Sequence, residues 1–150
     1  LILEFGGATI SLVGLTLLFF GLAVLNLPEN FFKVVCAWLL LAWFGSSLAI
    51  LLGSLSHFNP LVDKIWQPSS YLLFPLSGAA FLVSALPNFA QHWVLYIPTV
   101  HAVELLREGW FGSEVVAIYN LGYLIFFNLF LSLSALITAR WVSQRIVLET

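Results

Sequence analysis

Four long stretches without a charged side chain constrain this chain most strongly. They cover residues 5–28, 34–62, 65–103 and 115–139. A helix needs about 20 apolar residues to cross the hydrocarbon core of a bilayer, so three stretches each hold one crossing, whereas 65–103 is too long for one. Only 8% of the residues are charged and 61% are hydrophobic, whereas a soluble domain has about 25% charged residues. We therefore predict an all-α membrane protein in a lipid bilayer.

Several function classes are excluded by what the sequence lacks. The net charge is −2 with no basic run, which argues against a nucleic-acid partner. The single cysteine, Cys36, lies in an apolar stretch and cannot form a disulfide within the chain. The three histidines lack the short spacing of a metal site, so no metal is expected. A Gly-Lys-Ser/Thr phosphate loop is missing, so this chain does not hydrolyse ATP itself.

The apolar stretches and the turn residues between them predict four crossings. A turn at Pro28 makes a hairpin of the first two crossings, and Ser113 and Glu114 suit the start of the last helix. Pro68 and Pro75 lie within the third crossing, which should therefore pack inside the protein rather than face lipid all round. The predicted crossings are residues 8–27, 32–52, 66–86 and 116–139.

Two further segments connect these crossings. Residues 54–65 predict a short amphipathic helix at the membrane surface. Residues 88–108 are too short for two crossings and carry interfacial aromatics, so they predict a re-entrant or interfacial helical hairpin, which ends at Gly109 and Gly112. Four crossings place both ends of the chain on one side, and three basic residues against two indicate that this side is cytoplasmic.

Residues 75–114 resemble the membrane subunit of the ABC-2 permeases that export capsular polysaccharide. That family has a Leu-Pro pair, then leucine, an aromatic residue and Asn-Pro before a histidine, and then a Val-Glu-x-x-Arg stretch. Ile97 replaces the usual asparagine. The matching residues are Leu86, Pro87, Leu95, Tyr96, Pro98, His101, Val103, Glu104 and Arg107.

The resemblance implies an architecture and a set of partners. The chain would be the carboxy-terminal half of a type V exporter-like permease in the bacterial inner membrane, with upstream crossings missing, as the start at Leu1 and the lack of methionine also suggest. Its partners would be a nucleotide-binding ABC ATPase that carries ATP and Mg²⁺, a second permease copy, the polysaccharide and periplasmic export proteins. No cofactor is expected on this chain.

The resemblance also implies roles for three groups of residues. Residues in the 54–65 connection would dock on the ATPase, namely Phe58, Pro60, Leu61, Asp63 and Lys64. The alternative for this connection is an ordinary loop on the headgroups. The outer segment would shape the glycan exit through Pro98, His101, Glu104, Arg107 and Glu108. Here the alternative is a surface ion pair that anchors an interfacial helix. Trp38, Trp43 and Phe44 would line a glycan path, or else face lipid and neighbouring helices.

Other functions remain open at this stage. An ABC-2 permease for O-antigen, teichoic acid, a lipid or a drug would give the same pattern. An intramembrane acyl- or glycosyltransferase would use His101 and Glu104, although no nucleophile accompanies them at a recognisable spacing. A tetraspan assembly factor is the third class.

Overall fold

A computed structural model describes residues 2–23 and 26–149 of the chain. Within this part every regular element is a helix, which confirms the predicted all-α class. Two 3₁₀ turns, Val83–Ala85 and Gly112–Glu114, interrupt the loops. The six α-helices are α1 (Ile2–Gly21), α2 (Phe31–Phe58), α3 (Leu61–Leu76), α4 (Asn88–Val94), α5 (Pro98–Phe111) and α6 (Leu121–Glu149).

Helix α2 is the central element, with α6 packed along it and α5 packed against its beginning. The 28 residues of α2 extend about 42 Å at 1.5 Å per residue. Both α2 and the Leu121–Arg145 part of α6 are long and apolar enough to cross a membrane. Large apolar side chains also cover the outside of the molecule, such as Leu39, Phe126 and Phe130. Lipid solvates such a surface, whereas water does not.

Helices α2 and α6 run parallel to each other. The Asn128 side chain bonds to the Leu40 carbonyl, Ser47 bonds to Ser132, and the guanidinium of Arg145 lies over the ring of Phe58. Residue numbers on the two helices therefore rise together. The chain between them must therefore return from the end of α2 to the beginning of α6.

Helix α3 provides most of this return. It begins at Leu61, directly after the end of α2, and the chain reaches Gly78 beside Arg107 of α5, at the beginning of α2. The predicted interfacial helix over 54–65 is wrong, because α2 continues to Phe58 and only Asn59 and Pro60 separate it from α3. No proline precedes Asn59 within α2, so the helix runs on to that residue.

The predicted third helix over 66–86 also has different bounds. Helix α3 contains both prolines, but it ends at Leu76, ten residues earlier than 86, and none of its residues is buried, so it does not pack inside the described part of the chain as predicted. Gly78 adopts φ +88°, a left-handed conformation that glycine tolerates, and Arg107 binds carbonyl groups of the turn that follows. These carbonyls bond to a side chain instead of continuing the helical ladder.

Helix α5 approaches α2 closely because of one glycine. A Cβ atom on Gly109 would lie 2.9 Å from both Cβ of Lys33 and the backbone N of Val34. The Asn30 N–H donates to the Gly109 carbonyl at 2.8 Å, which links the backbones at the same place. Gly109 therefore lies inside α5. The prediction that the helix ends at Gly109 is wrong. Gly112, with φ +56°, ends the helix as predicted.

The last helix begins at Leu121, not at 116 with a cap at Ser113. Asn120 performs the capping, because its side-chain oxygen accepts from the Tyr123 N–H at 3.0 Å. Ser113 and Glu114 belong to a 3₁₀ turn instead. The preceding extended residues bond to α5 side chains, which keeps them out of the helix.

Helix α1 contacts the rest mainly through Trp38 and the end of α5. The Phe5 and Trp38 ring centroids are 6.3 Å apart, and the Trp38 indole N–H donates to the Thr9 hydroxyl at 3.3 Å. Helix α1 ends at Gly21, so the predicted first crossing, which extends to residue 27, is too long at that end. Residues 24 and 25 of that prediction lie outside the described residues.

Candidate functional site

The polar residues predicted on the outer segment meet at one end of α2. Pro98 occupies the first turn of α5, where its missing N–H costs no hydrogen bond. One, two and three turns later, α5 presents His101, then Glu104, then Arg107 and Glu108. We call these four residues the α5 cluster. The predicted helical spacing is confirmed, but the partners of the four side chains differ from those expected.

The Glu104 carboxylate is the centre of the α5 cluster. Its side chain is 0% exposed, and Oε1 lies 2.8 Å from the Arg107 guanidinium. Oε1 also accepts from the Val83 N–H and Oε2 from the Ile118 N–H, both at 3.3 Å. A buried charge needs such partners, since its desolvation costs several kcal/mol. Glu104 thus holds α5, the 3₁₀ turn at Val83 and the irregular segment before α6 together.

Arg107 completes this arrangement from the other side. Its guanidinium donates to the carbonyls of Gly78, Ala79 at 3.0 Å and Phe81 at 2.6 Å, besides the Glu104 carboxylate. A guanidinium has five N–H donors in a rigid fork, so one side chain can bind several carbonyls at once. The predicted pairing of Glu104 with Arg107 is confirmed. Glu104 is fully buried in this pair, however, so the alternative of a surface ion pair is wrong.

His101 is engaged at both ring nitrogens. The Asn120 N–H donates to Nδ1 at 3.0 Å, and Nε2 lies 2.9 Å from the Leu95 carbonyl. Because an amide N–H only donates and a carbonyl only accepts, the ring is neutral with its hydrogen on Nε2. Burial lowers the pKa of His101 and favours the same neutral form. The predicted neighbour, Glu104, does not bond to this ring.

Glu108 points away from the other three side chains. It accepts from Lys33 Nζ at 2.9 Å and from the Tyr119 hydroxyl at 2.5 Å. The hydrogen bond from Tyr119, and then that from Lys33, lowers the pKa of Glu108. The same bond raises the pKa of Tyr119 to about 12. This part of the cluster is partly exposed, and it joins α2, α5 and the segment before α6.

The residues predicted to contact the ATPase lie at the opposite end of α2. They surround the α2–α3 turn, where Asn59 Oδ1 accepts from the Leu61 N–H and shapes the turn. All five side chains are exposed, with Phe58 at 44% and Leu61 at 54%. We call Phe58, Pro60, Leu61, Asp63 and Lys64 the α2–α3 turn. Except for the contact of Phe58 with Arg145, these side chains are directed outward.

The three aromatics predicted for a glycan path do not form one surface. Trp38 bonds to Thr9 of α1, whereas the Trp43 indole N–H donates to Ser132 of α6 at 2.7 Å. The ring of Phe44 lies against Phe127 of α6, with centroids 6.2 Å apart. Each of them therefore packs against a neighbouring helix. The structure favours the helix-packing interpretation.

Several important residues were missed from the sequence. Asn128 is fully buried in α6 and its amide donates to the Leu40 carbonyl, which fixes the contact between α2 and α6. Tyr119 and Asn120 complete the α5 cluster. A polar amide in the middle of an apolar helix is a signal that could have identified Asn128. Nothing in the local sequence indicates the partners of Tyr119.

The chemistry of the cluster is structural rather than reactive. Both nitrogens of His101 and both oxygens of Glu104 are occupied by backbone or guanidinium partners. A general base needs an accessible lone pair within reach of the proton it takes. Within the described residues, no group of three His, Cys, Asp or Glu side chains is placed to hold a metal ion.

The fold and the cluster define a helical membrane protein with a charge-paired cap at the beginning of α2. No family model matches the chain. It is 37% identical over 137 residues to "Capsule polysaccharide export inner-membrane protein CtrC" of Neisseria meningitidis serogroup B, which covers 91% of this chain and 51% of the relative. It is 32% identical over 145 residues to BexB of Haemophilus influenzae, of the same description, which covers 97% and 55%.

The predicted resemblance is therefore confirmed. The chain is a relative of capsule polysaccharide export inner-membrane proteins, and the similarity extends over nearly its whole length. It spans about half the length of the curated relatives that it matches.

Proposed function

We propose that the chain is the carboxy-terminal half of a permease subunit that moves capsular polysaccharide across the bacterial inner membrane. The similarity to CtrC and BexB over more than nine-tenths of the chain carries this proposal. Both relatives are named as export inner-membrane proteins. The chain itself supplies crossings and contacts, and it carries out no covalent chemistry.

The proposed topology has four crossings and both ends in the cytoplasm. Parallel α2 and α6 support it, because the chain between them must return across the bilayer. With α1 as the first crossing and α3 as the third, the α2–α3 turn faces the cytoplasm. Helices α4 and α5 then lie at the outer face as the re-entrant or interfacial pair. The exposed rings of Phe89 and Trp93 on α4, and of Tyr96 in the turn after it, suit that interface.

The proposed partner is a separate ABC ATPase that binds ATP and Mg²⁺. It would dock on the α2–α3 turn of each copy in a permease dimer, and periplasmic export proteins would receive the polysaccharide. The exposed Phe58 and Leu61 support this role, since apolar side chains directed outward at a polar turn are available to a protein partner. The two-residue connection to α2 would transmit motion of the turn directly into that helix.

Two other functions have less support. An intramembrane transferase would need a free base or nucleophile, yet His101 and Glu104 are bonded on all their reactive atoms. A permease for another cargo, such as O-antigen or teichoic acid, shares the fold. Only the similarity to the capsule export proteins separates it from the first proposal.

Co-purification of the full-length protein with its ATPase tests the proposal. Leu61→Asp places a charge on the proposed contact and should weaken ATPase binding at least tenfold, about 1.4 kcal/mol, and abolish export. Phe89→Asp is the matched control, since Phe89 is also exposed, at 76% against 54% for Leu61, but lies at the other end of α2. If no ATPase accompanies the wild-type protein, or if both variants behave alike, the assignment is wrong.

Cysteine labelling tests the topology separately. Cys36 would be replaced by alanine, and single cysteines would be placed at the exposed positions Lys64 and His92. In intact cells an impermeant reagent should label His92→Cys from outside and leave Lys64→Cys untouched. Labelling of both positions from the same side would contradict the four-crossing arrangement.

A further inference from the structure

An open groove lies between the final turns of α2 and α6, at the end distant from the α5 cluster. Its volume is about 450 Å³, which is within the range of small-molecule sites. The floor is formed by small residues, because Ala49, Gly53 and Ala139 carry little or no side chain. No atom lies within 4 Å of where a Cβ on Gly53 would be. The remaining lining residues are Ile50, Ser54, His57, Val142 and Ser143.

Most of the groove surface is apolar, and its polar lining residues are Ser54, Ser143 and, at one end, His57. From Ala49 to His57 the groove follows two turns of α2, about 12 Å. The Ser54 hydroxyl is bonded to the Ile50 carbonyl of its own helix, so the interior offers little to a polar ligand. His57 lies at the end of the groove that coincides with the end of α2. The groove thus suits a ligand with a long apolar part.

A cation lies beside the polar end. Arg145 follows Ser143 on α6, and its guanidinium carbon is 5.4 Å from the ring centroid of Phe58, the neighbour of His57. Arg145 is exposed, so its N–H groups can bind a phosphate while the guanidinium lies over the ring. The cation therefore complements an anionic head group at this end of the groove.

We propose that this groove binds an anionic phospholipid of the surrounding bilayer. One acyl chain lies on Ala49, Gly53 and Ala139, and the phosphate bonds to Arg145. The bound lipid fills the space between α2 and α6 where small side chains leave them apart. This proposal goes beyond the export function and depends only on the placement of the two helices in a membrane, so the two can fail independently.

Native mass spectrometry of the full-length protein in detergent tests the proposal, with phosphatidylglycerol and phosphatidylcholine as probes. The wild-type protein should retain phosphatidylglycerol at least tenfold more strongly than phosphatidylcholine. Gly53→Leu fills the groove and should reduce phosphatidylglycerol binding at least tenfold. Gly14→Leu is the matched control, because Gly14 lies on exposed α1 with no atom near its Cβ position, and it should bind like the wild type.

Arg145 variants separate the head-group contact from the apolar one. Arg145→Gln should remove the preference for phosphatidylglycerol while binding of phosphatidylcholine is unchanged, and Arg145→Lys should keep most of it. Arg145 is exposed, so these variants fold even if Gly53→Leu does not. Equal binding of the two lipids by the wild type, no binding of either because another helix covers the groove, or an unchanged preference in Arg145→Gln would each overturn the proposal.

Discussion

The two ends of α2 have opposite designs. At its beginning, the α5 cluster joins α2, α5, the turn after α3 and the segment before α6 through buried charges and backbone hydrogen bonds. At its end, only Asn59 and Pro60 separate α2 from α3, and the side chains of the α2–α3 turn are exposed. The side chains at the beginning of α2 bond to other parts of the same chain. Those at its end are exposed and available to a partner.

This difference separates stability from coupling in one molecule. A cap with many mutual bonds resists distortion, because any movement leaves a buried charge or carbonyl without its partner. An exposed turn loses little when its side chains are changed. Substitutions in the α5 cluster should therefore affect folding, and substitutions in the α2–α3 turn should affect partners alone. The following predictions test this contrast at its fixed end.

Glu104→Gln should have the largest effect on stability. The amide keeps the shape of the carboxylate but leaves the Arg107 guanidinium buried without its counter-charge. Breaking one partner of a buried pair costs about 3–5 kcal/mol. Thermal unfolding of the full-length protein in detergent would measure this loss.

Glu114→Gln is the matched control for that experiment. Glu114 lies in the exposed 3₁₀ turn just after α5, so the same chemical change should alter stability by less than about 0.5 kcal/mol. Equal effects of the two substitutions would mean that the cap does not hold this end of α2.

Gly109→Ala should have the second-largest effect. The added methyl would lie 2.9 Å from the backbone of Val34 and from the Lys33 side chain, so α5 must move away from α2. Overpacking of this kind costs about 1–3 kcal/mol. Gly45→Ala is the control, because nothing lies near a Cβ at that position of α2. Unfolding in increasing SDS would compare the two, and a stable Gly109→Ala protein would show that the close contact is dispensable.

The sequence predicts the apolar framework of this fold better than its polar contacts. Long uncharged stretches locate α1, α2 and α6, since apolar length alone decides a membrane crossing. The helix ends at 58, 76 and 121 depend instead on Asn59, on carbonyls bound by Arg107 and on Asn120. The Arg107 contact joins residues 26 positions apart, and although the two asparagine contacts are local, hydropathy encodes none of the three.

The α5 cluster shows the same limit. Helical spacing predicts that Glu104 and Arg107 meet, because residues three apart share a helix face. It also predicts His101 beside Glu104, yet the ring turns to Leu95 and Asn120. The imidazole bonds to backbone groups of neighbouring segments that have no other partner in a helix. The position of those groups depends on the tertiary fold and cannot be read from helical spacing.

His101 gives the smallest of these effects, and it depends on pH. Burial lowers the pKa of His101, so the unfolded chain takes up a proton at a higher pH than the folded one. Its contribution to stability is therefore fully present above about pH 6.5, the ordinary histidine value, and declines as the pH falls below it. Protonation of Nδ1 also removes the acceptor for the Asn120 N–H at the start of α6. The midpoint of SDS unfolding, measured from pH 8 to pH 5, should fall in the wild type and change less in His101→Asn. His92→Gln removes an exposed histidine and should keep the wild-type slope. If the slope disappears in His92→Gln and persists in His101→Asn, His101 does not cause the pH dependence of stability.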